Sequence, residues 1–125
     1  MPALVVLIED NPLVRLGQSM LLKDWGYDVI ADASLSAVKA SLKGATGEIA
    51  AIITDYHLGD SGTGPDAALA LAKDVGTSIP TLVLSASLGR SSGQAAALHG
   101  FDMLEKPVDP ERLRGWLALA IRCAA

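Results

Sequence analysis

Apolar residues fall along this chain in two rhythms. One is the short unbroken run, as in Ala3-Leu4-Val5-Val6-Leu7-Ile8, Ile49-Ala50-Ala51-Ile52-Ile53-Thr54 and Thr81-Leu82-Val83-Leu84-Ser85. Runs of this length, bounded by turn residues, fit strands buried on both faces. Two shorter runs, Tyr27 to Ala31 and Phe101 to Leu104, read as further strands. The other rhythm is helical spacing. Asn11 is a good N-cap and Pro12 suits a first helical turn. Leu13, Leu16, Met20 and Leu21 follow, and Gly26 stops the helix after Trp25. A second helix is predicted from Ser34 to Lys43, with Leu35, Val38 and Leu42 inward, and a third from Pro65 and Asp66, with Ala68, Leu71, Ala72 and Val75 on one face. Leu88 to Gly93 forms helix poorly, so only Gln94 to His99 is expected to be helical there, with Gly100 ending it. Pro110 opens a last helix in which Leu113, Trp116, Leu117, Ala120 and Ile121 mark an amphipathic face.

Five strands thus alternate with five helices. That order predicts an α/β fold, a parallel sheet with helices on both faces, because a parallel crossover is right-handed and needs a helix. Residues 1–125 make one ordinary domain, without a repeat or linker. Half the residues are hydrophobic, enough for a packed core, and no run is long enough to span a membrane. The start Met1-Pro2-Ala3-Leu4 has no basic region before its apolar segment, which predicts no signal peptide and favours a stand-alone protein. A single cysteine, Cys123, fits a reducing cytoplasmic setting. The net charge of −4 and the scattered basic residues leave no nucleic-acid footprint.

The polar residues that matter stand at strand ends: Glu9-Asp10 after strand 1, Asp55 after strand 3, Ser85 at the end of strand 4 and Lys106 just past strand 5. One acid after a strand is most often a turn former or a helix cap. Four strand ends at once imply more. In open α/β sheets, chemistry collects outside the carboxyl ends of the strands. In a doubly wound order 2-1-3-4-5, strands 1 and 3 are neighbours, so Asp10 and Asp55 would face each other with Glu9 close by, while Ser85 and Lys106 flank Asp55. Three carboxylates in one crevice raise one another's pKa, and a cation relieves this. Oxygen-only ligands suit Mg²⁺. A carboxylate can attack phosphorus to give an aspartyl-phosphate, and such transfer relies on positioning and charge neutralisation. In that reading Asp55 attacks, Mg²⁺ and Lys106 neutralise phosphoryl oxygens, and the Ser85 hydroxyl donates a hydrogen bond.

Val6-Leu7-Ile8-Glu9-Asp10-Asn11, Ile53-Thr54-Asp55-Tyr56-His57-Leu58, Val83-Leu84-Ser85-Ala86 and Glu105-Lys106-Pro107 together resemble the receiver domain of bacterial two-component response regulators. The resemblance runs over essentially the whole chain. It implies the flavodoxin-like receiver fold, five parallel strands in the order 2-1-3-4-5. It implies that Asp55 accepts a phosphoryl group from a histidine kinase or a histidine phosphotransfer protein. It implies that Glu9, Asp10, Asp55 and the backbone carbonyl of His57 hold Mg²⁺, and that Lys106-Pro107 is a cis peptide. Such a protein catalyses only its own phosphorylation and dephosphorylation and signals to a downstream protein by changing its surface. The chain departs from the common pattern at Met103, where an aromatic residue usually stands, at Gly59 in place of a proline, and at Val108 in place of a frequent phenylalanine.

Other residues carry weaker readings. His57 is expected at the crevice rim, modulating water access to the phosphoryl group or simply solvated. His99 suits a helix end, and Ser87 is a second hydroxyl near the site. Trp25, Trp116 and Phe101 read as packing residues. A receiver module of a hybrid histidine kinase is an alternative to a single-domain response regulator. A haloacid-dehalogenase-like phosphohydrolase also uses an aspartyl-phosphate, but needs a second acid where His57 stands. A flavodoxin-like cofactor binder needs a phosphate-cradling loop after strand 1, where Glu9-Asp10 would repel phosphate. The last two helices permit a homodimer without requiring one.

Overall fold

The computed structural model describes residues 3–42, 49–59, 62–86 and 101–124. Ser87 and the helix expected from Gln94 to His99 lie outside them. The described strands are β1 (Leu4–Ile8), β2 (Asp28–Asp32), β3 (Ile49–Asp55), β4 (Thr81–Ser85) and β5 (Asp102–Glu105). All pair in parallel, in the order β2-β1-β3-β4-β5. The described helices are α1 (Pro12–Asp24), α2 (Leu35–Leu42), α3 (Gly64–Val75) and α4 (Pro110–Ala124). The doubly wound order expected from the resemblance is the order observed.

Burial on both faces explains why β1 has no polar alternation. Successive side chains of a strand point to opposite faces. Val6, Ile8 and Ile52 therefore pack with Val38 and Leu42 of α2 and Ala68 and Leu71 of α3. Val5, Leu7, Ala51, Ile53, Leu82 and Leu84 pack on the other face with Leu22 of α1 and Leu113 and Leu117 of α4. Truncating any one of these leucines costs about 2–5 kcal/mol in comparable cores. Trp25 and Trp116 flank the second core and Phe101 the first, as packing residues.

The helix starts follow their caps. Asn11 Oδ1 accepts from the backbone N–H groups of Leu13 and Val14, and Gly26 ends α1 with a φ of 97°. The third helix begins earlier than the Pro65 start expected from sequence, at Gly64, because Thr63 is its N-cap and accepts from the Asp66 N–H. Asp109 caps α4 through the Glu111 N–H. The stripe on α1 turns the other way from the core: Leu13, Leu16 and Met20 are 80%, 58% and 62% exposed. The helix instead lays Ser19 and Leu22 on the sheet. Among the described residues, no helix is long and apolar enough to cross a membrane.

Candidate functional site

The register of the sheet determines which strand ends meet. Ile8 of β1 stands opposite Thr54 of β3, Asp55 opposite Leu84 of β4, and Ser85 opposite Glu105 of β5. The residues just past or at these ends (Glu9, Asp10, Asp55, Ser85, Lys106) therefore converge at one edge of the sheet. A crevice of about 280 Å³ opens there, lined by Asp10, Asp55, Tyr56, His57, Ser85 and Lys106 among others.

Glu9 is buried to 1% exposure, Asp55 to 8%, while Asp10 lies exposed at the lip. The Glu9 carboxylate is held from two sides. Its Oε2 accepts from the Asn11 backbone N–H at 3.2 Å, and its Oε1 faces Lys106 Nζ at 3.4 Å. Lys106 Nζ also forms an ion pair with Asp55 Oδ1. That oxygen is buried and accepts no well-directed hydrogen bond, so the ammonium holds it chiefly by charge. Lys106 is itself fixed by its backbone N–H, which donates to the Ser85 carbonyl at 2.9 Å. The Lys106-Pro107 peptide is cis.

Burial pushes the Glu9 carboxyl up from its ordinary 4.5 to about 7. The neighbouring Asp55, through hydrogen bonding and charge, pushes the same way, while the Asn11 N–H and the Lys106 ammonium pull it down. For Lys106, burial alone would lower the pKa. The close Asp55 carboxylate, together with Glu9, more than offsets this and raises it. Crowded carboxylates thus meet one ammonium, and negative charge remains uncompensated.

That remainder is what a divalent cation would relieve. Glu9, Asp10 and Asp55 can each offer one oxygen, all within 4.8 Å of one another. Carboxylate-only donors, two buried and one at the open lip, fit a hard cation that keeps several waters, the habit of Mg²⁺. The buried Asp55 Oδ1 without a directed hydrogen bond fits the same purpose.

The loop after Asp55 is built to pass close under the site. Tyr56 N–H donates to Leu84 O and the Gly64 N–H to Tyr56 O, while Leu58 N–H donates to Gly62 O, bringing Gly62 and Gly64 back against Leu58 and Tyr56. Leu58 is buried in the core as the anchor. Gly64 must lack a side chain, since a Cβ there would overlap the Asp55 carbonyl and the Thr54 side chain. Gly59 sits at φ 59°, close enough that a Cβ would lie 3.3 Å from Asp10 Oδ2. His57 is exposed at the rim, and its ring meets Tyr56 edge-on with centroids 4.8 Å apart. Met103 is half-buried on β5 and lines a separate cavity of about 290 Å³ with Pro107 and Arg112.

The structure brings together every strand-end residue picked out from the sequence, and adds two contacts that were not. The Asn11 N–H grips the Glu9 carboxylate, and Arg15 Nη1 donates to the Glu9 carbonyl at 2.9 Å. A signal for Arg15 does exist in the sequence. A helical side chain leans toward the N-terminus, so an arginine one turn past the cap reaches back to the strand end.

A family model described as "response regulator receiver domain" matches residues 5–118. Solved structures with the same fold include a response regulator receiver domain protein from Clostridium thermocellum, 20% identical, with a TM-score of 0.82 over 98% of this chain and 96% of that one. The Vibrio cholerae chemotaxis protein CheY4 is 25% identical, with a TM-score of 0.80 over 96% and 99%. The signal receiver domain of a LuxO repressor protein from Vibrio parahaemolyticus is 24% identical, with a TM-score of 0.79 over 99% and 93%. No curated protein matches the chain.

Proposed function

The chain belongs to the response regulator receiver family of two-component signalling, and from that premise we propose that Asp55 is its phosphoacceptor. The donor is a phosphohistidine on a histidine kinase or a histidine phosphotransfer protein. A carboxylate oxygen of Asp55 attacks phosphorus. The bond from phosphorus to the imidazole nitrogen breaks, and the imidazole leaves with the electron pair and takes up a proton. The product is an acyl phosphate on Asp55. Hydrolysis later returns the carboxylate and inorganic phosphate.

The observation that carries this reading is the Lys106 ammonium against a buried Asp55 carboxylate, beside Glu9 and Asp10. Lys106 pairs with Asp55 before transfer and stays beside the phosphoryl oxygens after it. The Ser85 hydroxyl, lining the same crevice, donates to one of those oxygens. Glu9, Asp10, Asp55 and the His57 backbone carbonyl would hold Mg²⁺, which when bound neutralises phosphoryl charge. His57 stands at the mouth, where it limits water reaching the acyl phosphate. We assign residues 1–125 to one receiver domain of a cytoplasmic response regulator, which speaks to a downstream protein through its changed surface.

The test is incubation with Mg²⁺ and acetyl phosphate, followed by intact-mass spectrometry under acid conditions. The expected result is a base-labile gain of one phosphoryl group that Asp55→Asn abolishes. An undiminished gain in Asp55→Asn would remove the proposal.

A further inference from the structure

We propose that Arg15 is a positioning residue for the carboxylate site: its guanidinium fixes the Glu9 peptide and so the turn that presents Glu9 and Asp10 to a divalent cation. This rests on the receiver reading above. Glu9 is the first residue past β1, and its two backbone groups leave the sheet unequally provided for. Its N–H still finds Asp32 O, at 3.0 Å. Its carbonyl finds Arg15 Nη1, at 2.9 Å. That carbonyl belongs to the peptide joining Glu9 to Asp10. Rotating this peptide would re-aim both carboxylates, so the atom that holds it governs how the pair is presented.

Arg15 is placed for this task by α1. Its own N–H donates to the Asn11 carbonyl at 2.9 Å, in the first turn. From there a side chain leaning toward the helix start reaches the strand end. Arg15 is half-buried, and a guanidinium stays charged and keeps its planar set of donors in such a setting.

Charge alone would make Arg15 a poor neighbour. A positive group beside a cation site weakens cation binding by simple repulsion. Positioning and repulsion therefore predict opposite signs when Arg15 is removed. A purely structural role predicts a third result, a change in stability with no change in cation affinity of the folded protein.

The experiment measures Mn²⁺ binding to the full chain by electron paramagnetic resonance, without any phosphodonor, alongside thermal unfolding. Arg15→Ala is expected to weaken Mn²⁺ binding about tenfold, the lower range for residues that orient metal ligands. Arg15→Lys, which keeps the charge without the planar fork, is expected between Arg15→Ala and wild type. Unchanged or tighter binding in folded Arg15→Ala overturns the inference. If Arg15→Ala does not fold, Arg15→Lys decides: severalfold weaker binding supports the proposal, and wild-type or tighter binding overturns it. The wild-type protein is phosphorylated in parallel with acetyl phosphate. Failure there refutes the phosphoacceptor reading, while an insensitive Arg15 in a phosphorylatable protein refutes the positioning role alone.

Discussion

At the scale of single residues, Glu9 carries the tension of the site. Its carboxyl is buried, sits beside Asp55, and titrates near 7 rather than 4.5. The folded state therefore holds a proton that the unfolded state has already released between those values. The stability linked to Glu9 is fully present below about 4.5 and is lost as pH rises through about 7. In metal-free protein, urea unfolding should show wild type losing stability relative to Glu9→Gln across that window, on the order of 3 kcal/mol. Parallel pH profiles for the two proteins would contradict the assignment. Lys106, whose pKa is raised, contributes in the other range: its stabilising charge is lost only above the usual lysine value, so it leaves this window undisturbed.

The meeting of the strand-end residues was largely legible in the sequence, because it depends on residue type at strand ends. Glu9, Asp10, Asp55, Ser85 and Lys106 stand where buried runs stop. The backbone N–H of Asn11 left no trace in the sequence, and the signal for Arg15, its place one turn past the cap, was easily passed over. Asn11 had a sufficient role as a cap, and Arg15 read as one of the scattered bases. Both contacts arise only when β1 and α1 are joined by so short a turn that the helix start overhangs the strand end.

At the scale of elements, α1 is where spacing and direction part. Leu13, Leu16 and Met20 keep helical spacing, yet they face outward. Spacing alone fixes a stripe, not the side it faces. Ser19 is small and lets the helix approach the sheet closely, and Leu22 fills the core, so the larger stripe is left on the surface. It begins two residues past Asn11, beside the turn that carries Glu9 and Asp10. In the proposed function, the phosphodonor protein that reaches Asp55 docks across this surface. We expect Leu16→Glu to slow phosphotransfer from the cognate histidine protein at least tenfold, about 1.4 kcal/mol of lost contact. Acetyl phosphate, which needs no docking surface, should phosphorylate the variant at the wild-type rate. Equal transfer rates from the protein donor would show that the stripe is not used.

At the scale of the whole molecule, the parallel sheet brings side chains nearly a hundred residues apart, such as Glu9 and Lys106, to within 3.4 Å. The alternation of strands and helices revealed the class of fold from sequence alone. The strand order came from the resemblance, since alternation is equally compatible with other orders. Once that order holds, β1 and β3 become neighbours and the crevice follows. The described residues bring the strand-end side chains to one crevice and place Met103 in a separate half-buried position on β5.

The central claim is that the acyl phosphate forms on Asp55. Borohydride reduces an acyl phosphate to the alcohol, turning a phosphorylated aspartate into homoserine, which peptide mass spectrometry locates. After treatment with Mg²⁺ and acetyl phosphate, homoserine is expected at position 55 and not at position 10, with none when Mg²⁺ is chelated. Homoserine at position 10, or unmodified Asp55 in protein that has gained a phosphoryl group, would contradict the account.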